Sequence, residues 1–133
     1  LHRRRHSFPT RRSSDLNPVV RWQIITPSAD KASDFYCKVF GWQASRDNML
    51  NYQAIDTGSD RGIHGGIWPA PPEAPSFVQL FIEVDDCDSY VKSATSQGAT
   101  VLMPPQALPD GDVMAILKDH NGMSFGIVKA RAA

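Results

Sequence analysis

The hydrophobic pattern is clearest in the segment Phe77–Val84, where apolar and polar positions alternate. The even positions are branched aliphatic residues, whereas the odd positions place Gln79 and Glu83 among aromatic residues. Because successive side chains of a strand point to opposite faces, this pattern predicts a strand with an apolar face that packs under a helix. Its other face, polar and aromatic, suits a small-molecule cavity better than a sealed core.

The first half of the chain begins with a similar pattern. Val19–Thr26 is predicted to be a strand that carries Arg21 and Gln23 on one face. A helix capped by Ser28 or Asp30 should follow and end near Phe40, with Gly41 in a left-handed conformation. Its predicted core-facing stripe consists of Ala32, Phe35, Tyr36, Val39 and Phe40.

Three short strands are predicted between Trp42 and Trp68. Turn residues separate these strands at Asp47-Asn48 and between Asp56 and Gly62. The segment Pro69–Ser76 is too rich in proline for a helix or a central strand and reads as an extended linker.

The second half repeats the order of the first. After the strand Phe77–Val84, the pair Asp85-Asp86 should cap a helix over Cys87–Gln97 whose stripe comprises Cys87, Tyr90, Val91 and Ala94. Three further strands are predicted, with Pro104-Pro105 ending the first of them and Asn121-Gly122 forming a hairpin turn. These strands are Thr100–Met103, Val113–Lys118 and Ser124–Lys129.

Two βαβββ modules in tandem follow from these patterns, at residues 17–68 and 77–131. Each module alone would leave one face of its four-stranded sheet uncovered. We therefore predict an α+β fold in which the two mixed sheets pair into one open-sided barrel, with the helices outside and a cavity within. Residues 17–133 then form a single domain.

Composition and charge narrow the possible functions. The first sixteen residues contain five arginines and one aspartate, a net charge of +4, whereas the rest has nine basic and thirteen acidic residues, a net charge of −4. We interpret residues 1–16 as a disordered or artefactual tail, with an arginine-rich arm as the alternative. The remainder has neither the basic stripe that nucleic acid requires nor an apolar run of the ~20 residues that span a membrane. Free thiols at Cys37 and Cys87 and a cytoplasmic location are expected.

Four segments resemble the vicinal oxygen chelate superfamily, which includes glyoxalase I, bleomycin-resistance proteins, fosfomycin-resistance enzymes and extradiol dioxygenases. They are DFYCKVFGW (Asp34–Trp42), FIEVDD (Phe81–Asp86), the Gly98-Ala99-Thr100 return and DHNGMSFGIV (Asp119–Val128). The order and spacing of the segments carry the resemblance, which covers Pro18 to Lys129. The same fold supports many chemistries, so the resemblance implies the fold more firmly than a reaction.

The resemblance also implies where a metal would bind, because metal-dependent members hold a divalent ion with His, Gln or Glu. Arg21 falls at the first-strand ligand position and Gln79 where the second module usually supplies His. Gly126 falls where a Glu closes the site, and His64 lies near the remaining position. An arginine is a permanent cation and glycine has no side chain, so we expect no cofactor. A divalent metal on His64, Gln79 and Gln23 is the alternative.

We therefore expect a small-molecule binding protein without the catalytic metal, such as one that sequesters a drug as bleomycin-resistance relatives do. The alternatives are a metal-dependent glyoxalase-like lyase or dioxygenase, so whether the chain is an enzyme stays open, and a regulatory or interaction module. The expected partners are a small-molecule ligand and a second copy in a homodimer, with no nucleic acid and no membrane. The candidate ligand-binding residues are Arg21, Gln23, His64, Trp68, Gln79, Phe81, Glu83 and Met114.

Overall fold

The structure is a computed structural model that describes residues 17–46 and 52–130. The predicted tail at residues 1–16 and the predicted turn at Asp47-Asn48 lie outside the described residues. Within them the order of elements is β1 (Val19–Thr26), α1 (Ala29–Phe40), β2 (Gln43–Ser45), β3 (Gln53–Asp56), β4 (Gly65–Pro69), β5 (Phe77–Glu83), α2 (Cys87–Ser96), β6 (Thr100–Ala107), β7 (Val113–Lys118) and β8 (Ser124–Lys129).

The two predicted βαβββ modules form one continuous eight-stranded sheet with the order β2-β3-β4-β1-β5-β8-β7-β6. Within each module the first strand pairs in parallel with the last, β1 with β4 and β5 with β8. The modules meet where β1 pairs antiparallel with β5. The predicted α+β fold of two tandem modules is thus confirmed, and the two half-sheets join edge to edge.

Both helices pack on the same face of the sheet, which we call the outer face; the opposite side is the inner face. Under α2 a cluster of Val84, Cys87, Ala115, Leu117 and Ile127 is buried, and the predicted stripe of α2 packs against it. Under α1 a smaller cluster of Ala29, Ile55 and Ile67 is buried, flanked by Trp22 and Trp42. Side-chain alternation then directs Arg21 and Gln23 of β1 to the inner face.

Two predictions about apolar packing were wrong. Val78 and Leu80 were expected under a helix but are 59% and 48% exposed, because α1 covers β1 and β4 whereas α2 covers β6, β7 and β8. The predicted stripe of α1 is only partly used, since Phe35, Val39 and Phe40 are each more than half exposed. Tyr36 of that stripe stacks on Trp42 at 5.5 Å between ring centroids.

The strand β6 is longer than predicted, because it continues through Pro104-Pro105 to Ala107. It lies at the edge of the sheet, and its register against β7 shifts between Met103 and Gln106. A proline cannot donate a ladder hydrogen bond, but an edge strand with a bulge tolerates it.

The helix ends follow the sequence closely. The Asp86 side chain accepts a hydrogen bond from the backbone N–H of Asp88 and caps α2, as predicted. Gly41 ends α1 with a φ of 74°, a left-handed conformation that favours glycine. Ser28 occupies the N-cap position of α1 but makes no capping hydrogen bond with its side chain. No helix among the described residues is long and apolar enough to cross a membrane.

Candidate functional site

The junction between the modules forms the floor of the candidate site. Gln23 of β1 lies directly opposite Gln79 of β5 in the antiparallel pair, and their exposed fractions are 7% and 6%. The Ser124 hydroxyl donates to Gln79 Oε1 at 2.7 Å, which fixes the orientation of the amide. Two neutral amides therefore lie side by side, one from each module, on the inner face.

Arg21 lies next to this floor and contacts the second module. Its guanidinium carbon lies 5.7 Å from the centroid of the Phe81 ring, and its Nη2 atom is 3.9 Å from Asp112 Oδ2. The Arg21 side chain keeps 33% of its surface exposed, whereas Asp112 keeps 12%. The aromatic ring and the carboxylate hold a permanent cation in place and leave part of the Arg21 side chain accessible.

Tyr52 covers the first-module half of the floor. A Cβ atom at Gly66 would lie 2.0 Å from the Tyr52 hydroxyl oxygen, so only glycine lets the ring approach this closely. Burial raises the pKa of Tyr52, and the charge of Arg21 and side-chain hydrogen bonds with Arg21 and Gln23 offset only part of that rise. The phenol is therefore a neutral hydrogen-bonding group beside the guanidinium at ordinary pH.

A cavity of about 320 Å³ brings three predicted residues, Arg21, His64 and Glu83, together with Tyr52. His64 lies just before β4 and is half exposed, so it forms part of the rim. Its Nδ1 atom accepts a hydrogen bond from the Thr57 backbone N–H at 3.1 Å and lies 3.7 Å from an Asp56 carboxylate oxygen.

The other predicted residues lie outside this cavity's lining. Gln23 and Gln79 form the floor described above, and Phe81 is fully buried beneath Arg21. Trp68 packs against Tyr52 with 5.5 Å between ring centroids. Met114 of β7 lies opposite Val128 of β8 in the register and is half-buried.

Sequence reasoning missed three residues of the site: Tyr52, Asp112 and Ser124. Tyr52 could have been found from its position two residues before Ala54 in an alternating strand that faces a glycine-rich one. Asp112 and Ser124 reach the site from a turn and a strand end, and their sequence contains no comparable signal.

The residues at the predicted metal positions do not fit a divalent ion. Arg21 brings a cation to the first position, and a Cβ at Gly126 would lie 2.3 Å from the Phe81 ring. A carboxylate side chain at 126 would therefore need the fully buried ring to move. The described residues hold no group of three or more His, Cys, Asp or Glu side chains that could bind a metal ion. The donors left at these positions are two neutral amides and one rim histidine, whereas a catalytic ion usually takes its three protein ligands from His, Cys and carboxylate side chains.

Two βαβββ modules that share one sheet around a polar inner face define a domain of the vicinal oxygen chelate type. The model of the Glyoxalase/Bleomycin resistance protein/Dioxygenase superfamily matches residues 16–127, and the chain belongs to this family.

Known proteins agree with this assignment. The chain is 28% identical over 119 residues to the protein named "Putative glyoxylase CFP32" from Mycobacterium bovis, a match that covers 87% of this chain and 45% of the relative. The same figures hold for its namesake from Mycobacterium tuberculosis. The chain thus spans about half the length of the curated relatives it matches.

Solved structures share the fold at low sequence identity. The hypothetical protein BH1468 from Bacillus halodurans has a TM-score of 0.65 and 12% identity, with 88% of this chain and 96% of that chain covered. Methylmalonyl-CoA epimerase from Mycobacterium tuberculosis has a TM-score of 0.61 and 15% identity, with 86% and 88% covered. These likenesses establish the fold, while the site has to be read from this chain's own residues.

Proposed function

We propose that this chain binds a small anionic molecule on the inner face of its sheet, without a catalytic metal. The observation that carries the proposal is Arg21, a cation at the junction of the modules whose side chain is one-third exposed. A guanidinium that is held by a ring and a carboxylate is pre-organised to clamp a carboxylate or phosphate.

The surroundings of Arg21 support an anionic ligand that also carries polar groups. Tyr52 supplies a neutral hydroxyl beside the guanidinium, and Gln23 and Gln79 supply amides on the floor. Glu83 lines the same cavity and disfavours a second negative charge on the ligand near its carboxylate. A ligand that places one negative charge and several hydrogen-bonding groups in this cavity therefore suits the site best.

A fold neighbour offers one ligand class to test. A methylmalonyl-CoA epimerase with a TM-score of 0.59 and 16% identity was solved in complex with methylmalonyl-CoA, a ligand that carries a carboxylate. We propose acyl-CoA esters and free carboxylic acids as the first two classes of compound to screen.

The proposal is tested by thermal unfolding of the purified protein with a panel of carboxylates, acyl-CoA esters, phosphorylated metabolites and antibiotics. A ligand should raise the melting temperature saturably. Arg21→Met should weaken the Kd by about ten- to a hundredfold, the loss expected for a charge-assisted hydrogen bond. Arg61→Met, which removes an exposed arginine in the loop before β4, is the matched control and should leave the Kd unchanged. A panel without any saturable shift, or an equal loss in both variants, would refute the proposal.

The second candidate function is a metal-dependent glyoxalase-like lyase or dioxygenase, which membership of the family favours. Such an enzyme needs a stoichiometric divalent ion, and His64 is its one imidazole donor among the cavity residues. Elemental analysis of protein expressed with added Ni, Zn, Mn and Fe separates the two functions. Bound metal that is lost in His64→Ala would favour the enzyme; metal-free protein that still binds a carboxylate would favour the binding protein.

We further propose that the outer face pairs with a second copy of this chain. Val78 and Leu80 are exposed apolar residues on a strand that neither helix covers, and Phe35, Val39 and Phe40 of α1 are each more than half exposed. Contiguous exposed apolar patches are typical of interfaces. Leu80→Asp should shift the protein from dimer to monomer in sedimentation, whereas Leu102→Asp, at an equally exposed leucine of the edge strand β6, should not. A monomeric wild-type protein would contradict this assembly and leave a regulatory contact with another protein as the use of the surface.

A further inference from the structure

A second cavity lies on the outer face of module 1, where α1 begins. Its volume is about 410 Å³, and its lining includes the N-cap residue Ser28, Asp30 and Lys31 of α1, and Arg46 and Gln53. Gln53 shares its face of β3 with the buried residue Ile55, so this cavity is separated from Arg21 by the thickness of the sheet.

Gln53 is a buried polar residue whose side-chain hydrogen bonding is incomplete. It lies opposite Ile67 of β4 in the register, and only 4% of its surface is exposed. Its Nε2 atom donates to Asp30 Oδ1 at 3.2 Å, at the first turn of the helix. Its Oε1 atom is buried and has no hydrogen-bond partner among the described residues. A buried acceptor without a donor costs folding free energy, so a group that donates to Oε1 would be bound favourably.

The start of α1 provides the complementary groups. The first N–H groups of any helix lack intrahelical partners, and the Ser28 side chain makes no capping bond to them. Lys31 and Arg46 bring two positive charges, and the carboxylate of Asp30, which pairs with Arg46, brings one negative charge. The cavity therefore has a net positive charge, and the helix dipole adds to it.

These groups together define a ligand with two features. The helix N-terminus, Lys31 and Arg46 favour an anion, whereas Gln53 Oε1 requires a hydrogen-bond donor. We propose that this cavity is a second binding site for a hydroxylated carboxylate, with the carboxylate at the start of α1 and a hydroxyl that donates to Gln53 Oε1. The volume admits a molecule the size of a sugar acid. This second site lies on the opposite face of the sheet from the proposed inner site. A result that refutes one of the two sites therefore does not refute the other.

Three unbranched six-carbon probes test the chemistry: gluconate has the carboxylate and the hydroxyls, hexanoate lacks the hydroxyls and sorbitol lacks the carboxylate. Gluconate should raise the melting temperature saturably and shift the side-chain amide resonances of Gln53 in NMR spectra. Hexanoate and sorbitol should do neither. Comparable effects of all three probes, or no effect of gluconate, would overturn the inference.

Substitutions in the cavity lining test whether gluconate binds there. Gln53→Leu should weaken the Kd for gluconate about tenfold, and Lys31→Ala should weaken it by a similar factor. Lys92→Ala, at an exposed lysine of α2, is the control and should leave the Kd unchanged. Should Gln53→Leu fail to fold, Lys31→Ala and the Gln53 resonances of the wild type still decide the question. Gluconate binding that Arg21→Met abolishes and Lys31→Ala leaves intact would overturn this site and support the inner one instead.

Discussion

The two modules share one topology but bury different kinds of residue. Among the described residues, module 2 buries an apolar cluster of five members under α2, whereas the cluster under α1 has three. Of the described polar residues, module 1 buries four, Gln23, Thr26, Ser33 and Gln53, whereas module 2 buries two, Gln79 and Asp112. Two modules with the same topology therefore need not have the same function. Here module 2 supplies the larger apolar core, and module 1 supplies Arg21, Tyr52 and most of the groups that a ligand would contact.

The inner face shows the same contrast at two equivalent glycines. Gly66 of β4 pairs with Gln23 of β1, and Gly126 of β8 pairs with Phe81 of β5. Each glycine makes room for an aromatic ring, Tyr52 over Gly66 and Phe81 over Gly126. The Tyr52 ring is half-buried and ends in a polar group, whereas the Phe81 ring is fully buried. Module 1 thus exposes its ring to the cavity, and module 2 uses its ring to support Arg21.

The largest effect is expected from Gly126→Ala. The new Cβ would lie 2.3 Å from the Phe81 ring, which has no exposed side toward which to move. Overpacking of this kind costs about 1–3 kcal/mol of unfolding free energy. Gly66→Ala should cost less, because the half-buried Tyr52 ring can swing toward solvent. Urea denaturation of both variants measures the difference.

A double mutant tests whether the Phe81 ring causes the loss of stability in Gly126→Ala. Gly126→Ala combined with Phe81→Leu should recover part of the loss, since the smaller side chain leaves room for the methyl group. Equal costs at the two glycines, or additive losses in the double mutant, would show that Phe81 does not limit the space at residue 126.

A smaller effect is expected at the helix N-termini. Asp86→Ala removes a side-chain cap that accepts from the Asp88 N–H at 3.1 Å, and should cost about 1 kcal/mol. Ser28→Ala should change the stability by no more than a few tenths of a kcal/mol, because Ser28 makes no capping bond to lose. Equal losses in the two variants, measured by urea denaturation, would mean that the start of α1 is capped after all.

The alternation of apolar and polar residues predicted the bounds of a strand well where one face of that strand is buried. The bounds of β1, β7 and β8 agree with the prediction residue for residue. The prediction failed at Pro104-Pro105, because a proline is a reliable breaker only in a central strand, and β6 is an edge strand. It also failed at Val78 and Leu80, since the sequence does not indicate which strands a helix will cover.

The site was predictable only in part, and for a similar reason. The alternation in β1 and β5 identified Arg21, Gln23, Gln79 and Glu83 as inner-face residues. Their partners come from elsewhere in the chain: Asp112 from the turn before β7 and Ser124 from the start of β8. Such contacts depend on the register between modules, a tertiary property that local patterns do not encode.

The smallest effect concerns the ionisation of Tyr52. Burial raises the pKa of this phenol above 10.0, so the folded state favours the neutral form. The contribution of Tyr52 to the free energy of unfolding is therefore lost only as the pH rises beyond about 10. Arg21→Met should raise the pKa of Tyr52 further, because the guanidinium lowers it by its charge and its hydrogen bond. Titration of the ¹³C-labelled tyrosine ring by NMR, with the resonance assigned from Tyr52→Phe, measures the change.

The same titration links Tyr52 to the proposed ligand. An anion bound to Arg21 would offset the positive charge and should raise the pKa of Tyr52 in the same direction as Arg21→Met. In the Arg21→Met variant the anion should no longer have this effect. If the pKa of Tyr52 responds neither to Arg21→Met nor to the anion, the guanidinium does not lie beside the phenol. The proposed anion site, which depends on these two groups, would then be wrong.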